Sequence, residues 1–246
     1  MYCIYNENRY KCDRLFGAID RRAWNDRLLM LTYKYIINQS YRARIIMKFL
    51  HRPHLYGWSY FNPARNIDFN GIAWIRPGGN ILIDPVALSN HDWNHLESLG
   101  GVDWIIITNS DHIRAAKEIA DQTYAKIAGP IAEKESFPLM CDRWLGDGDE
   151  FVPGLKVIEL QGSKTPGELA LLLEDTTLIT GDLVRAYKAG SLGILPDEKL
   201  LNKAEAIASV RRLADLEQVE AVLVGDGWSI FRDGRDRLKE LVATLG

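Results

Sequence analysis

Downstream of Gly71 the chain alternates short unbroken apolar runs with stretches whose apolar positions recur at helical spacing. Gly71–Arg76 and Asn80–Asp84 flank the turn Pro77-Gly78-Gly79, which predicts a hairpin whose second strand stops at Pro85. Ser89 is placed to cap a helix reaching about Leu99, where Gly100-Gly101 ends it. Trp104–Thr108 reads as a buried strand, and His112–Gln122 as a helix with Ile113, Ala116, Ile119 and Ala120 on one face. Tyr124–Ala128, Leu155–Leu160, Leu169–Leu173 and Thr177–Thr180 predict four further strands. A long helix is expected from Asp197 or Glu198 to about Leu216, then a strand at Val219–Val224 and a last helix at Asp233–Leu245. Strand-rich hairpins mixed with βα units, in two successive halves (roughly 47–150 and 151–246) without a linker, predict one domain with two sheets between helices.

The apolar fraction, 47% of 246 residues, is enough for a sizeable core. A formal charge of −3 gives no global argument for a nucleic acid or an anionic membrane as partner. No apolar run approaches the roughly 20 residues of a membrane span, and the N-terminus lacks the pattern of a secretory signal. Cys3, Cys12 and Cys141 are scattered, with no Cys-x-x-Cys pair, which argues against a disulfide framework and a thiolate zinc site. A reduced, cytoplasmic protein is expected.

Charge divides the chain. Up to Arg44 nine basic residues stand against four acids, a net of +5 that leaves −8 for the remainder. Six of the ten tyrosines lie here, and apolar positions keep no sustained period. Residues 1–46 are therefore expected to be a basic extension, packing poorly or arising from a mis-assigned start, with a short amphipathic helix around Arg27–Ile37 as the alternative. The domain itself is expected at 47–246.

Chemistry concentrates at the strand ends. Trp104–Ile107 delivers Thr108-Asn109-Ser110-Asp111-His112, and later ends carry Lys164-Thr165-Pro166-Gly167, Gly181-Asp182 and Gly225-Asp226-Gly227. Polar residues at several strand tips are how an α/β scaffold assembles one site from distant segments.

This order of motifs resembles the metallo-β-lactamase superfamily from about Gly71 to the C-terminus. The resemblance implies a four-layer αββα sandwich with up to two metal ions in a cleft at the sheet edges. Asp84 resembles the family's structural aspartate. Asp111 and His112 resemble the Asp-His pair that ligates the second metal, and Asp182 the carboxylate that bridges both metals. Asp226 stands where a His ligand of the second metal belongs, Lys164 where a His ligand of the first belongs, and the two histidines before Asp111 are missing. The expected metal set is thus Asp111, His112, Asp182 and Asp226, one imidazole and three carboxylates. Such an oxygen-rich set suits one manganese or ferrous iron better than zinc.

With a metal, the resemblance implies hydrolysis of an ester, thioester or lactone by water attack, with Asp111 positioning or deprotonating the water. Without one, Lys164 neutralises Asp182 and the cleft binds a small anionic molecule without catalysis. Arg114, Lys164, Asn109 and Trp228 are the expected ligand contacts, with an ion pair to Glu118 an equal alternative for Arg114. A third possibility is an inert domain whose residues 1–46 mediate an interaction.

Other motifs are assigned structural roles. His91 and His95 lie on one helix face without a third ligand and read as solvated. Ser163 and Lys164 are adjacent on an extended segment and point apart, which spoils a nucleophile pair. Pro77–Asn80 precedes a strand and is a turn.

Overall fold

A computed structural model describes residues 47–246. The expected extension at 1–46 and the alternative helix at Arg27–Ile37 lie outside the described residues.

Strands β1 (Lys48–Phe49), β2 (Leu55–Asn62), β3 (Ile67–Trp74) and β4 (Ile81–Ile83) form an antiparallel meander. Trp74 pairs with Ile81 across Pro77–Gly79, the expected hairpin. Helix α1 (Asn90–Ser98) follows, with Ser89 and Asp92 in a reciprocal capping box. Parallel strands then extend the same sheet: β5 (Trp104–Ile106), β6 (Lys126–Pro130) and β7 (Arg143–Leu145), with α2 (Ala116–Thr123) crossing between β5 and β6. The seven strands lie in chain order.

A second sheet has the order β14-β11-β10-β9-β8, from β8 (Glu150–Val152), β9 (Leu155–Leu160), β10 (Glu168–Leu173), β11 (Thr177–Thr180) and β14 (Ala221–Val224). Only β11 and β14 run parallel, because α3 (Lys203–Ala214) makes the crossover that parallel neighbours require. A separate hairpin, β12 (Val184–Lys188) with β13 (Ser191–Ile194), precedes α3, and α4 (Gly234–Thr244) closes the chain.

Three apolar layers hold these elements in the αββα order. Strand β10 is buried along its whole length, and its period-2 alternation divides it. Leu169, Leu171 and Leu173 enter the core between the sheets with Ile83, Ile106 and Leu223. Ala170 and Leu172 face the other way, onto Val210, Leu213, Leu238 and Leu241 of α3 and α4. On the far side, Leu82, Ile105 and Ile107 pack on Leu96, Ala116 and Ile119 of α1 and α2. Strands buried on both faces explain the unbroken apolar runs in the sequence. Among the described residues no helix is long and apolar enough to cross a membrane.

Two departures from the expected elements bear on the site. The helix expected from His112 begins only at Ala116, because Ser110–His112 is a 3₁₀ turn and Arg114 takes a left-handed φ of 45°. Arg114 therefore leaves the helical register that would have paired it with Glu118, and reaches Asp226 instead. The β12–β13 hairpin falls between Asp182 and the predicted long helix, where no strand was expected. That helix is shorter than expected, starting after Asn202 caps Ala204 and Glu205.

The hairpin is stitched to the loop after β14, where Trp228 N donates to Ala186 O at 2.9 Å and Ala186 N to Asp226 O at 3.2 Å, and β3 holds the same loop through Gly227 N to Asp68 O at 2.8 Å. Gly227 has φ +96°, and a Cβ there would lie 2.0 Å from Ala186 O. A Gly227→Ala variant combines left-handed strain with backbone overlap. It is expected to lose about 3 kcal/mol or more in urea unfolding, and a loss under about 1 kcal/mol would show the loop to be tolerant.

Candidate functional site

The site lies at the strand ends. Asp84, just past β4, anchors it: its carboxylate accepts from Thr108 N (2.8 Å) and Thr108 Oγ1 (2.6 Å), and lies 2.7 Å from His112 Nδ1. The 3₁₀ turn after Asn109 brings His112 back over Thr108, and Gly225 leaves room for the ring, since a Cβ there would meet His112 Cε1 at 2.6 Å. With Nδ1 donating to Asp84, Nε2 points to the cleft, 3.6 Å from Asp182 Oδ2.

Asp182 and Asp226, each 2% exposed, end two neighbouring parallel strands, β11 and β14. Burying two carboxylates side by side costs heavily unless each is paired. Here each oxygen has a cation. Asp182 Oδ1 is gripped by Arg185, and Asp182 Oδ2 lies 3.1 Å from Lys164 Nζ. Asp226 Oδ1 takes Arg114 Nη2 at 2.8 Å, and Oδ2 takes Arg185 Nη2 at 3.2 Å. Lys164 also pairs with Asp111, whose side chain is 49% exposed at the rim.

These contacts set the protonation states. Burial and the Arg114 charge push His112 down, but the Asp84 charge, the nearby Asp182 carboxylate and the Asp84 hydrogen bond outweigh them and raise its pKa to about 9. Burial raises Asp182, but the adjacent His112, with the Lys164 and Arg185 charges, holds its carboxyl far below the usual range. Burial and then the neighbouring Asp182 push Glu168 up to about 7, against hydrogen bonds from Ser163 Oγ and Leu183 N. Asp84, Asp111, Asp182 and Asp226 thus face an equal number of cations, His112, Arg114, Lys164 and Arg185.

The cleft encloses about 220 Å³ and is lined by Asn62, Arg65, Phe69, Asp111, His112, Arg114, Lys164, Asp182 and Asp226. Of the expected metal set, His112, Asp182 and Asp226 each offer a ligand atom within 4.8 Å of the others. Asp111 stands outside that group, drawn to the rim by Lys164. The donor set does not fit an ion as it stands. Arg114 Nη2 lies 3.1 Å from His112 Nε2 as well as 2.8 Å from Asp226, so a guanidinium fills the space a ligated ion would need.

Of the expected ligand contacts, Arg114 and Lys164 line the cleft, while Asn109 and Trp228 do not. Asn109 is fully buried and uses its Oδ1 on Asp111 N at 3.0 Å. Trp228 is 59% exposed, because the Gly227 turn carries it away from Asp226. Ser163 is buried on Glu168, at 2.5 Å, while Lys164 pairs with Asp111 and Asp182; the segment is a run of bends and not the extended stretch expected. His91 is exposed, whereas His95 is half-buried edge-on to Tyr56. Sequence reasoning missed Arg185, Arg65, Phe69 and Asn62. The only signal for Arg185 was its place three residues after Asp182.

The His112 shift fixes a pH dependence. A folded-state pKa above the unfolded 6.5 gives stability that is complete below pH 6.5 and is lost as pH rises through about 9. Glu168, also raised, acts in the same direction between pH 4.5 and about 7. The urea midpoint of the wild type should therefore fall between pH 6.5 and about 9, and His112→Asn should be less stable at pH 6.5 and lack that slope. A wild-type midpoint flat over this interval contradicts the assignment.

Residues 47–245 match the family model of the metallo-beta-lactamase superfamily. No curated protein matches the sequence at a significant level. Among solved structures, a metallo-beta-lactamase from Pontibacter korlensis is similar at TM-score 0.65 and 14% identity, covering 81% of this chain and 97% of its own. A metallo-beta-lactamase family protein from Thermus thermophilus is similar at TM-score 0.60 and 20% identity, covering 78% and 79%. FIM-1 from Pseudomonas aeruginosa, a metallo-beta-lactamase in mono-zinc form, is similar at TM-score 0.64 and 15% identity, covering 82% and 95%. At these identities the solved structures establish the shared fold, and the family model, spanning nearly all of the described domain, establishes that the chain belongs to the metallo-beta-lactamase superfamily.

Proposed function

We propose that the domain binds a small anionic molecule in the cleft without a metal ion. The observation that carries this reading is a side-chain cation within 3.2 Å of every oxygen of Asp182 and Asp226, although Asp182 Oδ2 meets Lys164 as an ion pair without a hydrogen bond. An ion at His112, Asp182 and Asp226 would have to displace Arg114, and would add two positive charges to a centre that is already balanced.

The ligand's charge follows from what is left over. With the four carboxylates matched, Arg65 is a cleft-lining cation that forms no salt bridge among the described residues. Its guanidinium lies 5.8 Å from the Phe69 ring centroid, and that of Arg114 lies 4.9 Å from it. A small carboxylate, phosphate or sulfonate would meet Arg65 and the outer N–H groups of Arg114 and Lys164, with its apolar part on Phe69. Asn62 adds a neutral polar contact at the same rim.

The competing reading is a hydrolase for an ester, thioester or lactone, holding one manganese, iron or zinc ion. The cluster of His112, Asp182 and Asp226 favours it, and it requires Arg114 to swing clear. That would leave Asp111 at the rim as the candidate proton acceptor, once released from Lys164.

Titration of the full chain with a panel of small carboxylates, phosphates and sulfonates in the presence of EDTA separates the two. Saturable binding that weakens with salt and falls about tenfold in Arg65→Ala is the expected outcome, with far less than one equivalent of metal by mass spectrometry. Binding that appears only with added metal, or about one equivalent of metal lost in Asp182→Asn, would replace this reading with the hydrolase.

A further inference from the structure

Arg185 is unlike the other cations of the centre. Lys164 and Arg114 line the cleft, whereas Arg185 does not and is 1% exposed. It rises from β12, beneath the aspartates, and its donors are spent there. Nε donates to Asp182 O at 3.0 Å and Nη1 to Tyr187 Oη at 2.5 Å. Nη2 contacts Asp182 Oδ1 and Asp226 Oδ2, spanning the ends of β11 and β14 with one nitrogen.

We infer that Arg185 takes the structural place of a bridging metal ion, holding Asp182 and Asp226 together from below, and that its charge, added to that of Arg114 on the cleft side, keeps divalent cations off His112, Asp182 and Asp226. The inference rests on the metal-independent reading above. Three features support it. The guanidinium is planar and permanently charged, and while Nη2 reaches both carboxylates, Nε holds the Asp182 carbonyl, an anchor that a lysine ammonium bridging the same carboxylates would lack. Its position is fixed by the fold, because the next residue, Ala186, donates from N to Asp226 O at 3.2 Å and accepts from Trp228 N. Its removal would free one oxygen on each aspartate, on the same side, while His112 Nε2 stays within reach. Two buried carboxylates short of a counter-charge then favour a divalent cation that displaces Arg114 toward the cleft, which the balanced centre does not.

The test uses the full chain and thermal melting, in EDTA and then in excess manganese or zinc chloride. The wild type should melt at the same temperature in both. Arg185→Met should melt lower in EDTA and regain about 5 °C or more with metal, taking up about one equivalent by calorimetry. Arg185→Met combined with Asp226→Asn, which restores the charge balance but removes a donor, should fold and ignore metal.

If Arg185→Met does not fold, Arg185→Lys keeps the charge without the span and should melt lower than wild type. Metal stabilising the wild type as much as Arg185→Met, or Arg185→Lys melting like the wild type, would overturn the inference. A wild type purified with about one equivalent of metal defeats the metal-independent reading itself. A metal-free wild type whose Arg185→Met variant ignores metal defeats only the role given to Arg185.

Discussion

The centre is organised by the cost of burying Asp182 and Asp226 side by side. Parallel pairing of β11 and β14 places the two strand ends next to each other, and each ends in Gly-Asp. Two carboxylates at this depth cannot both stay charged without cations against them. Every other element of the site answers that demand. Arg185 comes from below, Arg114 and Lys164 from the cleft, and the imidazole of His112 is held protonated by Asp84. Asp84 is in turn fixed by two hydrogen bonds from Thr108, so the balance extends back to the ends of β4 and β5.

Such a balance depends on backbone placement as much as on charge. Arg114 reaches Asp226 only because its left-handed φ breaks the helix that would otherwise begin at His112. Its Nη1 is steadied by Asn70 O at 2.9 Å, and Asn70 in turn donates to Val224 O and Gly227 O, both at 2.8 Å. The middle of β3 therefore ties the first sheet's edge to the loop that carries Asp226. The αββα packing brings these segments, far apart in sequence, within hydrogen-bond reach.

Much of this was legible from the residues. The apolar runs at Trp104–Thr108, Leu169–Leu173 and Thr177–Thr180 are strands buried on both faces, and their period and length were sufficient to place them. The four strand-end motifs do converge, and Lys164 does lie against Asp182. What the sequence concealed was Arg185. Val184–Lys188 mixes charged and aromatic residues in a pattern that resembles a solvated edge, and no local rule distinguishes a buried arginine there from an exposed one. Its burial follows from contacts with Asp182, close by in the chain, and with Asp226, far along it, and only the second reveals its role. The same holds for Arg65 and Phe69, which reach the cleft because the β2–β3 hairpin folds beside Asp226.

Charge conservation and loss of chemistry are separable here. A divalent ion among carboxylates supplies positive charge, and also an open coordination position that polarises whatever binds there. Arginine and lysine side chains supply the first without the second, since their nitrogens are donors with no vacant orbital to offer. With Lys164 against Asp182 and Arg185 beneath it, the strand ends are neutral and packed without an ion, so the fold does not depend on one. On the proposed reading, the cleft serves recognition, with Arg65 among its lining residues to meet an anion. Because the neutralising charges are covalently part of β12 and of the loops after β5 and β9, they cannot be stripped by a chelator or exchanged with the medium. On the proposed reading, the centre depends on the protonation of His112 rather than on a supplied ion.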